Sequence, residues 1–306
     1  MKKTIMLIAL VCMTMAAQAQ LGVKRVAKFS KGDKAVYRTE QTMNVAGQDI
    51  KVTSTEQYVV TDATADGFVI ENTTKEVNSD VVEGDIVGTI MKTVAEMGKD
   101  LVIRFKTDKE GKPTSILNAD EVTKKMEATA DKFINEIFAK NPEIEPMLPK
   151  ETLKEQFTDQ FSAENMRKSY CEGGSVFALN GKTIMTGSMD EYVNDDDMKI
   201  KRMYFLTEKD ASKVKVTGNL SMNKEELKAM ALAKLEESMP AEQIEAVKQN
   251  IDQVMENMKM DVKETTDYEF FPNGWLKTLT NEVKSDAMGQ TSSNSKKIEC
   301  IEHSWK

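Results

Sequence analysis

One histidine limits what chemistry this chain can perform. His303 lies three residues from the C-terminus, so a Ser-His-Asp or Cys-His site would have to be built from the tail. A histidine-rich zinc site is excluded, and three cysteines are too few for a four-cysteine one. A lone histidine without motif context reads as a surface residue. Asn180-Gly181-Lys182-Thr183 has the ending of a phosphate-binding loop, but Val176 stands where that loop needs its first glycine. Ser221-x-x-Lys224 and Ser293-x-x-Lys296 have the spacing of penicillin-binding enzymes without the Ser-Asp-Asn or Lys-Thr-Gly that must accompany it. Asp195-Asp196-Asp197 lacks the alternating oxygens and the glycine of a calcium loop and reads as a solvated turn.

Methionine is the unusual residue. The chain has 21, of which Met1, Met6, Met13 and Met15 fall in an N-terminal leader, and three cluster in MENMKM at 255–260. Thioethers are soft copper(I) ligands. Met255 and Met258, however, are three apart on an amphipathic pattern, which makes them a packing stripe. An adaptable, methionine-rich apolar surface suits varied apolar ligands or partners. The expected site is an apolar pocket lined by Met91, Met97, Met230 and Met255. No cofactor, metal or catalytic residue is expected.

The leader has its own logic. Lys2 and Lys3 precede an apolar run from Ile5 to Met15, too short to span a bilayer, and Ala17-Gln18-Ala19 offers a cleavage site. Residues 1–19 are therefore expected to be a signal peptide, cleaved after Ala19, with the mature chain periplasmic or secreted. Val11 is a poor fit before a lipid-anchor cysteine at Cys12. No later segment is long and apolar enough for a transmembrane helix. Removing Lys2 and Lys3 from 42 Lys+Arg, against 50 Asp+Glu, leaves a net charge of −10. That balance favours solubility and argues against a nucleic-acid partner. Export puts Cys171 and Cys300 in an oxidising compartment. A bridge between them would contribute about 4–5 kcal/mol in the chain-entropy picture. Pairing and two separate thiols are both open.

Stepping along the mature chain, period-two alternation dominates from Val36 to Asn78, with Tyr37, Tyr58, Val60, Phe68 and Ile70 on apolar positions and a turn at Asp66-Gly67. Helical spacing follows from Asp85 to Gly98, then strands at 101–105 and around Ile116. An amphipathic helix is expected over 119–139 with Met126, Phe133, Ile137 and Phe138 as its stripe. A connector with short helices, 142–172, separates a first β-rich half, 20–141, from a second, 173–306. Asn180-Gly181 predicts a hairpin, 223–258 a helical insertion, and Pro272-Asn273-Gly274 a turn between two strands. The halves match. Tyr58, Thr61 and Ala65 meet Tyr204, Thr207 and Ala211 at an offset of 146, and Met43 meets Met189; later Phe105 meets Tyr268 and Gly111 meets Gly274 at an offset of 163. The fold class expected is α+β, a mainly antiparallel curved sheet in two related halves with inserted amphipathic helices.

The stretches YRTEQTMNVAGQDIKVTSTEQYVV and YEFFPNGWLKTLTNEV resemble a family of uncharacterised exported proteins of Bacteroidota. More distantly, the chain is similar to the lipoprotein-carrier (Lol-type) half-barrel, a curved antiparallel sheet holding helices and an apolar cavity. The resemblance implies a fold and a compartment and transfers no catalytic residues. The function expected is a non-enzymatic binding protein holding a lipid or other apolar small molecule between sheet and helices. The alternative is a module that binds another envelope protein through a sheet edge or methionine patch.

Overall fold

Tyr37, Tyr58, Val60, Phe68, Ile70 and Phe105 occupy one parity of their strands, and all are buried. Alternate side chains of a strand point to opposite faces, so this pattern gives the sheet one dry face and one wet one. The computed structural model describes residues 22–45, 48–80, 98–140, 150–171, 174–193, 199–222, 225–230, 232, 260–287 and 290–305. The leader and the expected helices at 85–98 and 223–258 fall wholly or mostly outside them.

The described elements run β1 (Val23–Lys24), β2 (Lys34–Val45), β3 (Gln48–Thr64), β4 (Gly67–Ser79), β5 (Val102–Thr107), β6 (Pro113–Ile116), α1 (Ala119–Lys140), α2 (Lys150–Gln160), α3 (Ala163–Cys171), β7 (Thr183–Ile184), β8 (Met189–Val193), β9 (Lys199–Leu206), β10 (Lys213–Met222), β11 (Met260–Phe270), β12 (Leu276–Ala287) and β13 (Gln290–Ser304). The class is α+β. Eleven strands form one curved, open antiparallel sheet in the order β6-β5-β4-β3-β2-β13-β12-β11-β10-β9-β8, and β1 pairs with β7 apart from it. The order descends twice, from β6 to β2 and again from β12 to β8, with β13 joining the two runs. The strands that carry Tyr58 and Tyr204 thus occupy matching places. The registers differ: Val60 faces Ile70, whereas Leu206 faces Val214. Met43 faces Ile50 while Met189 faces Met203, so that match of types is not a match of places.

The core collects at one end of the sheet's inner face. Trp275 is fully buried, stacked on Phe29 at 4.3 Å, with Phe177 at 5.9 Å and Tyr58 at 6.5 Å. Phe105 stacks on Tyr170 of α3 at 4.5 Å. Such rings bury about 150–250 Å² each and dominate a core's energetics. A second cluster lies past the β5–β6 edge. There Val122, Met126, Ala130, Phe133, Ile134 and Phe138 of α1 pack with Leu101 and with Met166 of α3. Ile134 belongs to the stripe beside the expected residues; the side chain of Ile137 lies outside the described ones. Asn118 fixes where α1 begins, accepting from Arg104 N (2.8 Å) and donating to Val102 O (2.9 Å).

The hairpin expected at Asn180-Gly181 does not form. Residues 174–182 are turns, with Val176, Phe177 and Leu179 buried in the core. Asn180 Nδ2 donates to Gly111 O (3.1 Å) and Gly181 N to Arg25 O (2.8 Å). Asn180 Nδ2 and Gly181 N are thus taken up by other segments instead of by a second strand, while Asn180 N and Lys182 N bond within the turn to Phe177 O and Leu179 O.

The N-terminal segment closes this end. Arg25 N donates to Lys182 O, Ala27 N to Glu110 O, Lys28 N to Asn273 O and Gly32 N to Val60 O, all at 2.8–3.0 Å. Ala27 sits against both matched glycine turns. A Cβ on Gly111 would lie 2.4 Å from Ala27 Cβ, and one on Gly274 would lie 2.9 Å from Ala27 Cα; their φ angles are +85° and +94°. Only glycine meets both demands cheaply. Gly111→Ala and Gly274→Ala should each destabilise the fold by about 1–3 kcal/mol. Urea titration checks this; an unchanged midpoint for either variant would show that the turn can move away from Ala27.

Candidate functional site

Beyond the aromatic core the inner face changes character twice. First comes a belt of polar groups. Glu56 has the parity of Tyr58, and its carboxylate accepts from Tyr58 OH (2.7 Å) and from buried Asn72 Nδ2 (3.2 Å). Across the sheet, Asn281 Nδ2 donates to Glu264 Oε1 and to Thr266 Oγ1, both at 2.8 Å, and Tyr192 OH donates to Glu264 Oε2 (2.9 Å). Arg202 lies over the Tyr192 ring at 4.0 Å and donates from Nε to Asp190 Oδ1 (3.1 Å). Lys182 pairs with Asp190 and donates to Tyr204 OH (2.6 Å). Burial alone would raise the Asp190 carboxyl. The Lys182 and Tyr204 hydrogen bonds and the neighbouring cations outweigh it and hold the carboxyl below its ordinary value.

Lys296 is different. It follows the parity of core residue Ile298 on β13, between Gln41 of β2 and Asn281 of β12. Its side chain is half-buried. Desolvation pulls its ammonium below the ordinary lysine value, and the Glu56 charge opposes that. Among the described residues it makes no hydrogen bond and no ion pair.

Past the belt the inner face carries an apolar patch on β2, β3 and β12, while Asn294, Ser292 and Ser285 keep it polar on β13 and the end of β12. Met43 and Ile50 face one another across β2 and β3, Val52 and Val283 stand in neighbouring rows, and Ile50 is buried. At the far end Met222, Met230 and Met260 gather around Leu227 with Leu232. Of the four expected pocket residues, Met230 is therefore in an apolar cluster; Met91, Met97 and Met255 lie outside the described residues. A cavity of about 240 Å³ opens among polar and charged residues, Lys296 and Asn281 together with outer-face positions such as Glu40, Thr42, Lys51 and Lys297.

The pairing of Cys171 with Cys300 is not formed. Cys171 ends α3 and contacts Pro113 O, while Cys300 lies opposite Tyr37 in β13 and contacts Glu302 O. Burial pushes the Cys300 thiol up to about 11, so it is a poor nucleophile. His303 is exposed, as expected, but held in strand β13 and stacked on Trp305 at 4.6 Å. Among the described residues no group of three acidic, histidine or cysteine side chains is placed to hold a metal, and no helix is long and apolar enough to cross a membrane.

The belt is what reading the sequence missed. Its signal was available: Glu56, Glu264 and Lys296 are charges on the apolar parity of otherwise alternating strands.

No family model and no curated protein matches the chain. Solved structures similar to it include lipovitellin and a porin-like protein. Lipovitellin, described for its lipid–protein interactions, is 7% identical with a TM-score of 0.39; the match covers 90% of this chain and 26% of that one. A porin-like protein from Bacteroides uniformis is 9% identical with a TM-score of 0.18, covering 92% and 99%. The chain spans about a quarter of lipovitellin's length. Both neighbours are too distant to carry an argument about function.

All six tyrosines are raised above the usual phenol value, each chiefly by desolvation, with Tyr268 raised to about 12. An exposed tyrosine ionises near pH 10. Spectrophotometric titration of the native protein should therefore show almost no tyrosinate below about pH 11. Tyrosinate should then appear together with alkaline unfolding. A tyrosine titrating reversibly near pH 10 in the folded chain would mean that this face is open to water.

Proposed function

We propose that the protein is an exported, non-enzymatic binding protein, released by cleavage after Ala19, that holds a lipid or lipid-like molecule on the inner face of its sheet. The observation that carries this reading is the mismatch between strand length and core. β2, β3, β12 and β13 are 12, 17, 12 and 15 residues long. At about 3.3 Å per residue, a strand of that length runs roughly 40–55 Å. The aromatic core uses one end of that length. The other end presents Met43, Ile50, Val52 and Val283 to the inside of a curved, open sheet. Apolar side chains on an inner face must be covered, and methionine-rich surfaces adapt to varied apolar shapes. The sequence-based half-barrel resemblance belongs to this reading.

A second reading rests on a separate observation. β8 ends the sheet among the described strands, and Met189 on it is 70% exposed. A free edge is a template for pairing with another chain.

One preparation distinguishes the two. The chain, expressed with its signal in a Gram-negative host and purified from the periplasm, should carry extra mass in native mass spectra that is lost on denaturation and extracts into organic solvent. A clean mature mass, with one envelope protein co-purifying in fixed ratio, would replace the ligand reading with the edge-strand one.

A further inference from the structure

Of the charged groups in the inner-face belt, Glu56, Glu264, Asp190, Arg202 and Lys182 each have a hydrogen-bond or ion-pair partner. Lys296 has none among the described residues. A half-buried ammonium without a hydrogen bond is costly, and here only the charge of Glu56 offsets the water it loses. Its position adds chemistry to that cost. One inner-face step along β13 lies Ile298 of the dry core. In its own row stand Asn281, Gln41 and then Val52; the next row holds Met43 and Ile50, an apolar pair on β2 and β3, with Val283 beside Asn294 and Glu264 on the other side. A cation therefore sits at the boundary where an elongated apolar molecule, lying along the strands, would end.

We propose that Lys296 is the head-group anchor of the ligand site and that the ligand is a long-chain amphiphile with an anionic head, carboxylate or phosphate. This rests on the binding function proposed above and specifies its ligand class. The Lys296 ammonium donates to the head-group oxygens, completing its missing hydrogen bonds. The chain of the amphiphile lies toward Met43 and Ile50. Glu56, held by Tyr58 and Asn72, sets the charge limit. It tempers the site's positive potential.

The test uses three probes of equal chain length: palmitate, hexadecyl phosphate and hexadecanol. Each is titrated by native mass spectrometry into the full mature protein after delipidation. Wild type should bind at least one anionic probe about tenfold more tightly than hexadecanol, as a charge-assisted hydrogen bond predicts. Preference for palmitate alone identifies a carboxylate site, for hexadecyl phosphate alone a phosphate site, and for both a general anionic site; all three support the proposal. Lys296→Met should abolish the preference while retaining hexadecanol binding, and Lys296→Arg should keep it. Equal binding of the three probes to wild type overturns the anchor and leaves the binding function standing. A preference that survives in Lys296→Met also overturns the anchor. Failure of wild type to bind any probe overturns both. Matching thermal melts of the variants separate loss of the anchor from loss of the fold.

Discussion

The structure depends on how one short segment is held. Ala27 is wedged between the Gly111 and Gly274 turns, and its neighbours hydrogen-bond to residues from three other parts of the chain. Arg25 extends the clamp. Its guanidinium lies 3.8 Å over Phe270 and donates to Ala211 O (3.5 Å) and Gly274 O (3.3 Å), tying two turns of the second half together. Desolvation lowers that guanidinium to about 10, with Asp210 opposing the shift. A cation so placed is retained because carbonyls and a ring face replace its water. With one end of the sheet closed in this way, Phe29, Trp275, Phe177 and Tyr58 pack as one aromatic core.

Closing one end leaves the rest of the long strands to do something else. Their outer face is polar and stitched by exposed ion pairs such as Lys51–Glu40 and Lys277–Glu269, each worth about 1 kcal/mol or less. The inner face runs from a dry aromatic core through a hydrogen-bonded belt to a far half where Met43, Ile50, Val52 and Val283 stand beside Asn294, Ser285 and Ser292. A polar belt inside a sheet is stable only when its members satisfy one another. Glu56, Asn72, Glu264, Asn281 and Tyr192 do so. The belt separates the aromatic core from the Met43–Ile50 pair.

Much of this was legible in residue order. Alternation gave the strands around Tyr58 and Ile70, Pro272-Asn273-Gly274 gave the turn before β12, and the stripe of Met126, Phe133 and Phe138 gave α1. The equivalence of Gly111 and Gly274 was readable too, and the structure gives it a reason in the shared contact with Ala27. What escaped depends on contacts between distant segments. Residues 174–182 have hairpin chemistry, but Arg25 and Gly111 capture the turn. Two cysteines in a chain read as exported suggest a bridge, yet the topology sets one beside Pro113 and the other beside Tyr37. The belt was hidden because charge on a strand is normally read as solvent-facing. Only the sheet order shows Glu56, Lys296 and Glu264 sharing one face.

The central claim is that the apolar patch in the far half of the inner face receives the chain of an amphiphile. Photo-cross-linking tests it most directly. A fatty acid carrying a photoreactive group near its methyl end would be supplied to cells exporting the protein, and the cross-linked peptides mapped. The account predicts labels on Met43, Ile50, Val52 or Val283. Labels confined to outer-face positions such as Thr42, Thr53 and Glu282, or no label at all, would contradict it.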